Sequence, residues 1–287
     1  MNRIEGCGAH DSVSGKDDRL KIWWEFAQGL MLSVVITGIS RGCLLRDLLL
    51  GRVGRRIKRI DPRVAMTRHW IPSGEMRLDS VLVTPVENTV QATLLICHGI
   101  GETVQHWLPV QRMLARRGVA SLVFDYAGYG RSSGFFDAMQ AEDDAVSAFQ
   151  WLRTLTPTAP VWLLGFSLGS GIAASVASRI PISGLVLCAA FTSLREAATS
   201  SGFPALLNFL VPPIWRNTES LQGLKESVLI VHGENDRLFP TQMAKDLKAA
   251  AGDHSKLILV ANLKHDEPHR CPTLAYWDNI AVHVTRK

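Results

Sequence analysis

The chain has 287 residues, of which 47% are hydrophobic and 20% charged. That is enough apolar material for one large α/β domain or two small ones, and there is no low-complexity tract to indicate extensive disorder beyond the ends. The net charge is +5, and all of the excess lies before Asp61: residues 1–60 hold 11 Lys and Arg against 6 Asp and Glu, whereas residues 61–287 hold 20 of each. A main body with balanced charge argues against a nucleic-acid footprint on it.

Residues 1–60 are read as an N-terminal extension separate from the body. Ile22 to Ile39 carries fifteen uncharged residues between Glu25 and Arg41, short of the roughly 20 apolar residues that a spanning helix needs. Trp23 and Trp24 at its edge suit a membrane interface, and no small-residue cleavage site follows. Cys43 to Ile60 sets Leu44, Leu45, Leu48, Leu49 and Leu50 beside Arg46, Arg52, Arg55, Arg56, Lys58 and Arg59. This predicts a basic amphipathic helix for an anionic membrane surface, with the body on the cytoplasmic side. The competing reading is a helical pair packed on the body or used in oligomer contact.

From Arg63 the pattern changes to short strands. Val64 to Ile71 and Met76 to Thr84, separated by Pro72-Ser73-Gly74, predict an antiparallel hairpin. Ala92 to Cys97 is a buried strand running into H-G-I-G-E, His98 to Glu102, and a helix follows over about Val104 to Arg117. The strand Ala120 to Phe124 leads into D-Y-A-G-Y-G-R-S, Asp125 to Ser132. A helix is expected over Ala141 to Leu155, with Glu142, Asp143 and Asp144 in its first turn, where they suit the helix dipole. Beyond the next strand-turn-helix come the strand Gly184 to Cys188 and an interruption over about residues 191–224, read as a small, mostly helical lid. Val228 to Val231 runs into H-G-E-N-D, His232 to Asp236. A helix Thr241 to Ala250, a strand Lys256 to Val260, the turn bearing His265 and a last helix near Pro272 to Val284 complete the set. Strands alternating with helices specify a mostly parallel sheet covered on both faces.

The chemistry concentrates in Val161 to Gly171, V-W-L-L-G-F-S-L-G-S-G. An apolar strand ends in Gly165-Phe166-Ser167-Leu168-Gly169, and small residues follow on a helical pattern. A sharp strand-to-helix turn there forces Ser167 into a strained backbone and lifts its hydroxyl above the sheet. On its own the five-residue pattern also fits a Gly/Ser turn before a core helix. The five cysteines are odd in number and form no C-x-x-C, and Cys97 and Cys188 lie in apolar strand-like runs, so they read as buried small hydrophobes. The histidines show no H-E-x-x-H spacing, and no glycine loop matches a phosphate cradle. No metal and no cofactor is implied.

Taken together, H-G-I-G-E, D-Y-A-G-Y-G-R-S, G-F-S-L-G, H-G-E-N-D and K-H-D in that order resemble the α/β-hydrolase superfamily. The resemblance is to its small-lid serine hydrolases, the monoglyceride-lipase-like, serine-aminopeptidase-like and palmitoyl-thioesterase-like members, over about residues 63–285. It implies an eight-stranded, mostly parallel sheet within residues 61–287, with a lid near 191–224. The family's order of nucleophile, acid and histidine implies Ser167, Asp236 and His265, with Glu234 as the other candidate acid and His269 as the other candidate base. Lys264 stands where the family usually has glycine, and His269 reads as an exposed loop residue if it is not the base. The backbone N–H groups of Ile100 and Leu168 are the implied oxyanion donors. His98, Asp125 and Gly128-Tyr129-Gly130 are expected to be structural.

The implied reaction is hydrolysis of a carboxylic ester or acyl thioester with an apolar acyl group. Phe203, Leu206, Leu207, Phe209, Leu210, Val211 and Trp215 are candidates either for an acyl pocket or for plain lid core. The rival readings are a peptidase acting on short peptides and a non-catalytic, membrane-tethered binding member of the fold. Dehalogenation does not fit a serine at the elbow.

Overall fold

The computed structural model describes residues 61–86 and 89–286. The expected membrane-associating segment, residues 22–60, lies outside the described residues. Among the described residues no helix is long and apolar enough to cross a membrane.

Eight strands form one sheet. They are β1 (Val64–Ser73), β2 (Met76–Pro85), β3 (Ala92–Cys97), β4 (Val119–Phe124), β5 (Val161–Phe166), β6 (Gly184–Cys188), β7 (Ser227–Gly233) and β8 (Ser255–Val260), in the spatial order β1-β2-β4-β3-β5-β6-β7-β8. β1 pairs with β2 and β2 with β4 antiparallel, and every other pairing is parallel. The parallel central strands β3, β4, β5 and β6 are buried along their whole length, which explains why they read as continuous apolar runs and not as alternating patterns.

The helices are α1 (Val104–Ala115), α2 (Ala138–Leu155), α3 (Leu168–Val176), α4 (Leu194–Ser200), α5 (Asn217–Gln222), α6 (Thr241–Ala251), α7 (Glu267–Arg270) and α8 (Leu274–Thr285). One core cluster brings Trp107 and Leu114 of α1 together with Trp277 and Ile280 of α8 on one face of the sheet. The other brings Phe149 of α2, Ile172 of α3 and Leu247 of α6 onto the opposite face. α1, α2 and α6 bury one side and leave the other to water, whereas α3 is buried almost all round.

Helix α2 starts three residues earlier than the charge pattern indicates. The Asp137 carboxylate caps it by accepting from the N–H groups of Met139 and Gln140, at 2.9 and 3.0 Å. Glu142 and Asp144 therefore sit beyond the first turn, and both are buried. Asp144 accepts from Ser73 Oγ at 2.7 Å and from the Ala127 N–H at 2.8 Å. Glu142 accepts from Ser175 Oγ at 2.7 Å and from Arg179 and Trp215 Nε1 at 3.0 and 3.1 Å. These acids tie elements together, which for a buried carboxylate requires several donors at once.

The segment between β6 and β7 contains α4, a 3-10 turn over Ala205–Leu210, and α5. Trp215 at its return is buried, takes the left-handed backbone (φ 49°) and packs against Gly171 of α3. Val211 is also buried, whereas Leu206, Leu207 and Phe209 are exposed, Leu206 by 90%. The apolar residues of the insertion therefore divide into an anchored return and an apolar tip.

Candidate active site

Ser167, Asp236 and His265 all lie beyond the carboxyl ends of parallel strands, after β5, β7 and β8, and the turn His98 to Glu102 follows β3. β3 and β5 are neighbours from which the chain departs in opposite directions across the sheet. Such a reversal opens a crevice above the strand ends.

Ser167 has φ 51° and ψ −118°, a conformation sparsely populated for a residue with a Cβ. Close packing holds it there. A Cβ on Gly165 would lie 2.5 Å from the Gly169 carbonyl, and one on Gly169 would collide with the Cys97 carbonyl. The Ser167 N–H donates to the Cys188 carbonyl at 3.1 Å, which anchors the elbow to β6. Leu168 opens α3, so its N–H has no carbonyl partner within the helix.

His265 Nε2 lies 2.9 Å from Ser167 Oγ, and His265 Nδ1 lies 2.7 Å from Asp236 Oδ2. With an ionised carboxylate at Nδ1, that nitrogen carries the proton and Nε2 is free to accept from the serine hydroxyl. Asp236 Oδ1 accepts from the N–H groups of Leu238 and Phe239 at 2.8 and 2.9 Å. Burial pushes the Asp236 carboxyl up, but the His265 hydrogen bond and charge, the Phe239 N–H and nearby His232 together hold it below its usual value. Phe239 sets its ring edge-on to His265 at 5.0 Å. Glu234, the other candidate acid, is exposed.

His269 is the correction. It is no exposed loop residue: only 2% of its surface is accessible, and its Nε2 lies 3.2 Å from Glu102 Oε1. Its ring stacks on Trp107 and meets the edge of Phe166. The reason is the short helix α7, whose Pro268 carbonyl accepts from Trp277 Nε1 at 2.8 Å, which draws the segment inward.

Ile100 sits in a closed turn. The Glu102 N–H donates to the Gly99 carbonyl at 3.3 Å, and Gly101 takes φ 71°, the positive value a type II turn requires at that position. His98 is fully buried, with Nδ1 2.9 Å from the Gly99 carbonyl and Nε2 3.4 Å from Asp125 Oδ1. Asp125 also accepts from the Val104 N–H at 2.8 Å and so fixes the start of α1. Both are structural supports of the turn, as the sequence indicates. Cys97 and Cys188 are buried, and burial pushes each thiol up to about 12. No cluster of metal-ligating side chains occurs among the described residues.

Nothing in the local sequence sets Glu102 or His232 apart. Glu102 is the last residue of the quoted H-G-I-G-E, and its burial was the missing signal. His232 lies with Nε2 3.6 Å from Asp236 Oδ2, its ring also 2.9 Å from the Phe239 carbonyl.

The fold and this arrangement of side chains define a class, and comparison with known proteins agrees. Residues 88–220 match the family model described as serine aminopeptidase, S33. Lysophosphatidylserine lipase ABHD12 of Bos taurus is 29% identical over 174 residues, 54% of this chain and 44% of the relative. Its Danio rerio counterpart is 26% identical over 213 residues, 66% and 56% of the two chains. The chain thus spans about half the length of the curated relatives it matches. Among solved structures, ferulic-acid-bound Est1E of Butyrivibrio proteoclasticus superposes with TM-score 0.64 at 20% identity, covering 76% of this chain and all of that one. A Pyrococcus furiosus esterase superposes with TM-score 0.62 at 17% identity, covering 79% and 96%. The chain has the α/β-hydrolase fold and is similar in sequence to serine hydrolases of that fold.

Proposed function

We propose that this protein is a serine hydrolase that cleaves carboxylic esters or acyl thioesters through an acyl-enzyme on Ser167. The observation that carries the proposal is the hydrogen-bonded line from Asp236 through His265 to Ser167 at a strained elbow. A serine hydroxyl is a weak nucleophile until a base takes its proton. In this reading Ser167 Oγ attacks the acyl carbon as its proton passes to His265 Nε2, and Asp236 holds the imidazole in the required tautomer and stabilises it once charged. The carbonyl oxygen becomes an anion held by the Ile100 and Leu168 N–H groups, each worth about 3 kcal/mol in such a site. Collapse breaks the bond to the alcohol or thiol, which leaves with the proton from His265. Water then attacks the acyl-enzyme, His265 takes its proton, and the free acid leaves as Ser167 regains its hydrogen.

The substrate proposed is a lipid-like acyl ester. The exposed apolar tip at Leu206, Leu207 and Phe209 supports this, as does the likeness to relatives named lysophosphatidylserine lipases. Residues 22–60, with their basic and apolar pattern, are proposed to bring the enzyme to an anionic membrane on its cytoplasmic side.

Hydrolysis of p-nitrophenyl esters from acetate to palmitate, by wild type beside Ser167→Ala, tests the activity. A rate that rises with chain length and is lost in the variant is expected. Equal rates in the two proteins remove Ser167 from the reaction, and a maximum at acetate removes the lipid-like substrate. Loss of residues 1–60 is expected to shift the protein from membrane to soluble fractions, and unchanged partitioning overturns the membrane role.

A further inference from the structure

Another carboxylate and histidine meet beside Phe166, the residue before Ser167. Glu102 is buried, and three donors from three parts of the chain converge on it. The Gly99 N–H donates to Oε2 at 3.0 Å, Trp107 Nε1 of α1 donates to Oε2 at 2.8 Å, and His269 Nε2 of α7 lies 3.2 Å from Oε1. The fit is close, since a Cβ on Gly99 would sit 2.8 Å from Glu102 Oε1 and 3.2 Å from the Phe166 ring. His269 Nδ1 is buried and makes no hydrogen bond. Burial pushes the His269 imidazole below its ordinary value, against the opposing pull of Glu102, and Nε2, which faces an acceptor-only carboxylate, carries a proton. Burial pushes the Glu102 carboxyl up, but the two imidazoles nearby, the Gly99 N–H and the indole more than reverse that, leaving it ionised.

A buried carboxylate is costly unless its donors are fixed. Here the fixed donors come from the turn after β3, from α1 and from α7. Gly99 precedes Ile100 in the turn after β3, and His269 follows His265 by four residues. We propose that Glu102 and His269 are positioning residues that clamp the oxyanion turn to the loop carrying His265, so that the Ile100 N–H and the catalytic imidazole keep one fixed separation. An oxyanion donor acts only when it stands 2.7–3.1 Å from the developing charge, and a misplacement of about 1 Å is enough to lose about a hundred-fold in rate. The clamp rests on the reading of Ser167 as the nucleophile, and on no particular substrate.

The test is the rate at which a fluorophosphonate probe phosphonylates Ser167, measured with kcat and KM for p-nitrophenyl butyrate and with the thermal midpoint. The proteins are wild type, His269→Phe, which keeps the ring stacked on Trp107, and Trp107→Phe, which keeps the α1 ring and removes one donor to Glu102. The expected result in either variant is a fall of about ten- to a hundred-fold in labelling rate and kcat, with KM held within about two-fold. Wild-type rates below the midpoint, with only the midpoint lowered, make the pair mere packing and overturn the clamp. If His269→Phe does not fold, Trp107→Phe carries the same two outcomes. A wild type that does not label shows instead that Ser167 is not the nucleophile, and the clamp falls with it.

Discussion

Two of the carboxylate–histidine pairs among the described residues invite comparison, Asp236 with His265 and Glu102 with His269, the two histidines four residues apart in the chain. In both, one carboxylate oxygen gathers N–H donors and the other faces an imidazole: Asp236 Oδ1 takes two backbone N–H groups, and Glu102 Oε2 takes one backbone N–H and the Trp107 indole. They differ at the far side of the ring. His265 keeps 18% of its side chain accessible and turns its second nitrogen to Ser167, whereas the His269 side chain keeps 3% and its second nitrogen meets nothing. An imidazole serves as a base only if its lone pair reaches the proton to be moved and the charged form is tolerated. His265 Nε2 reaches the Ser167 hydroxyl, as the proposed mechanism requires. His269 meets neither condition, because its surroundings disfavour charge, and so it acts as a fixed donor.

Substitution breaks this contrast most sharply at the reacting atoms. Ser167→Ala and His265→Ala are each expected to lower kcat roughly a million-fold, with an unchanged thermal midpoint for Ser167→Ala; turnover near wild type in His265→Ala, paired with inactivity in His269→Phe, would exchange the roles of the two histidines. Asp236→Asn is expected to lose about ten-thousand-fold in kcat by allowing the wrong tautomer, read from steady-state rates at neutral pH. A smaller effect concerns stability. The folded His269 binds its proton less readily than the unfolded chain does, so its contribution is full above its ordinary value of 6.5 and declines as pH falls through it. The drop in thermal midpoint between about pH 7.5 and about pH 5.5 is therefore expected to be smaller in His269→Phe than in wild type. His232 and His283, also lowered chiefly by burial, retain the rest of the drop; an equal drop in both proteins shows that His269 does not titrate in that window.

The insertion offers the mildest test. Gly171→Ala would place a methyl 2.8 Å from Trp215 Cβ and is expected to cost about 1–3 kcal/mol in denaturant titration. Leu206→Ser at the exposed tip is expected to stay within about 0.5 kcal/mol. If it nonetheless lowers the rate on long-chain esters relative to acetate, the tip meets the acyl chain.

Much of this was legible in one dimension because the determining interactions are local. The glycines at 165 and 169 mark a turn too tight for side chains, and the apolar runs at β3, β5, β6 and β7 mark strands covered on both faces. The family resemblance, through its order of nucleophile, acid and histidine, then implied Ser167, Asp236 and His265. The start of α2 departs from the charge pattern because capping by Asp137 depends on one side-chain geometry, whereas acids at 142 and 144 look the same in sequence whether they face a helix dipole or a buried network. What tertiary structure alone decided was burial. In the sequence His265 and His269 are two histidines in one polar turn, and Glu102 is one more acid after a glycine. Only the packing of α7 against α1 and α8 removes His269 and Glu102 from water, and that loss of water is what sets His269 apart from the more accessible His265.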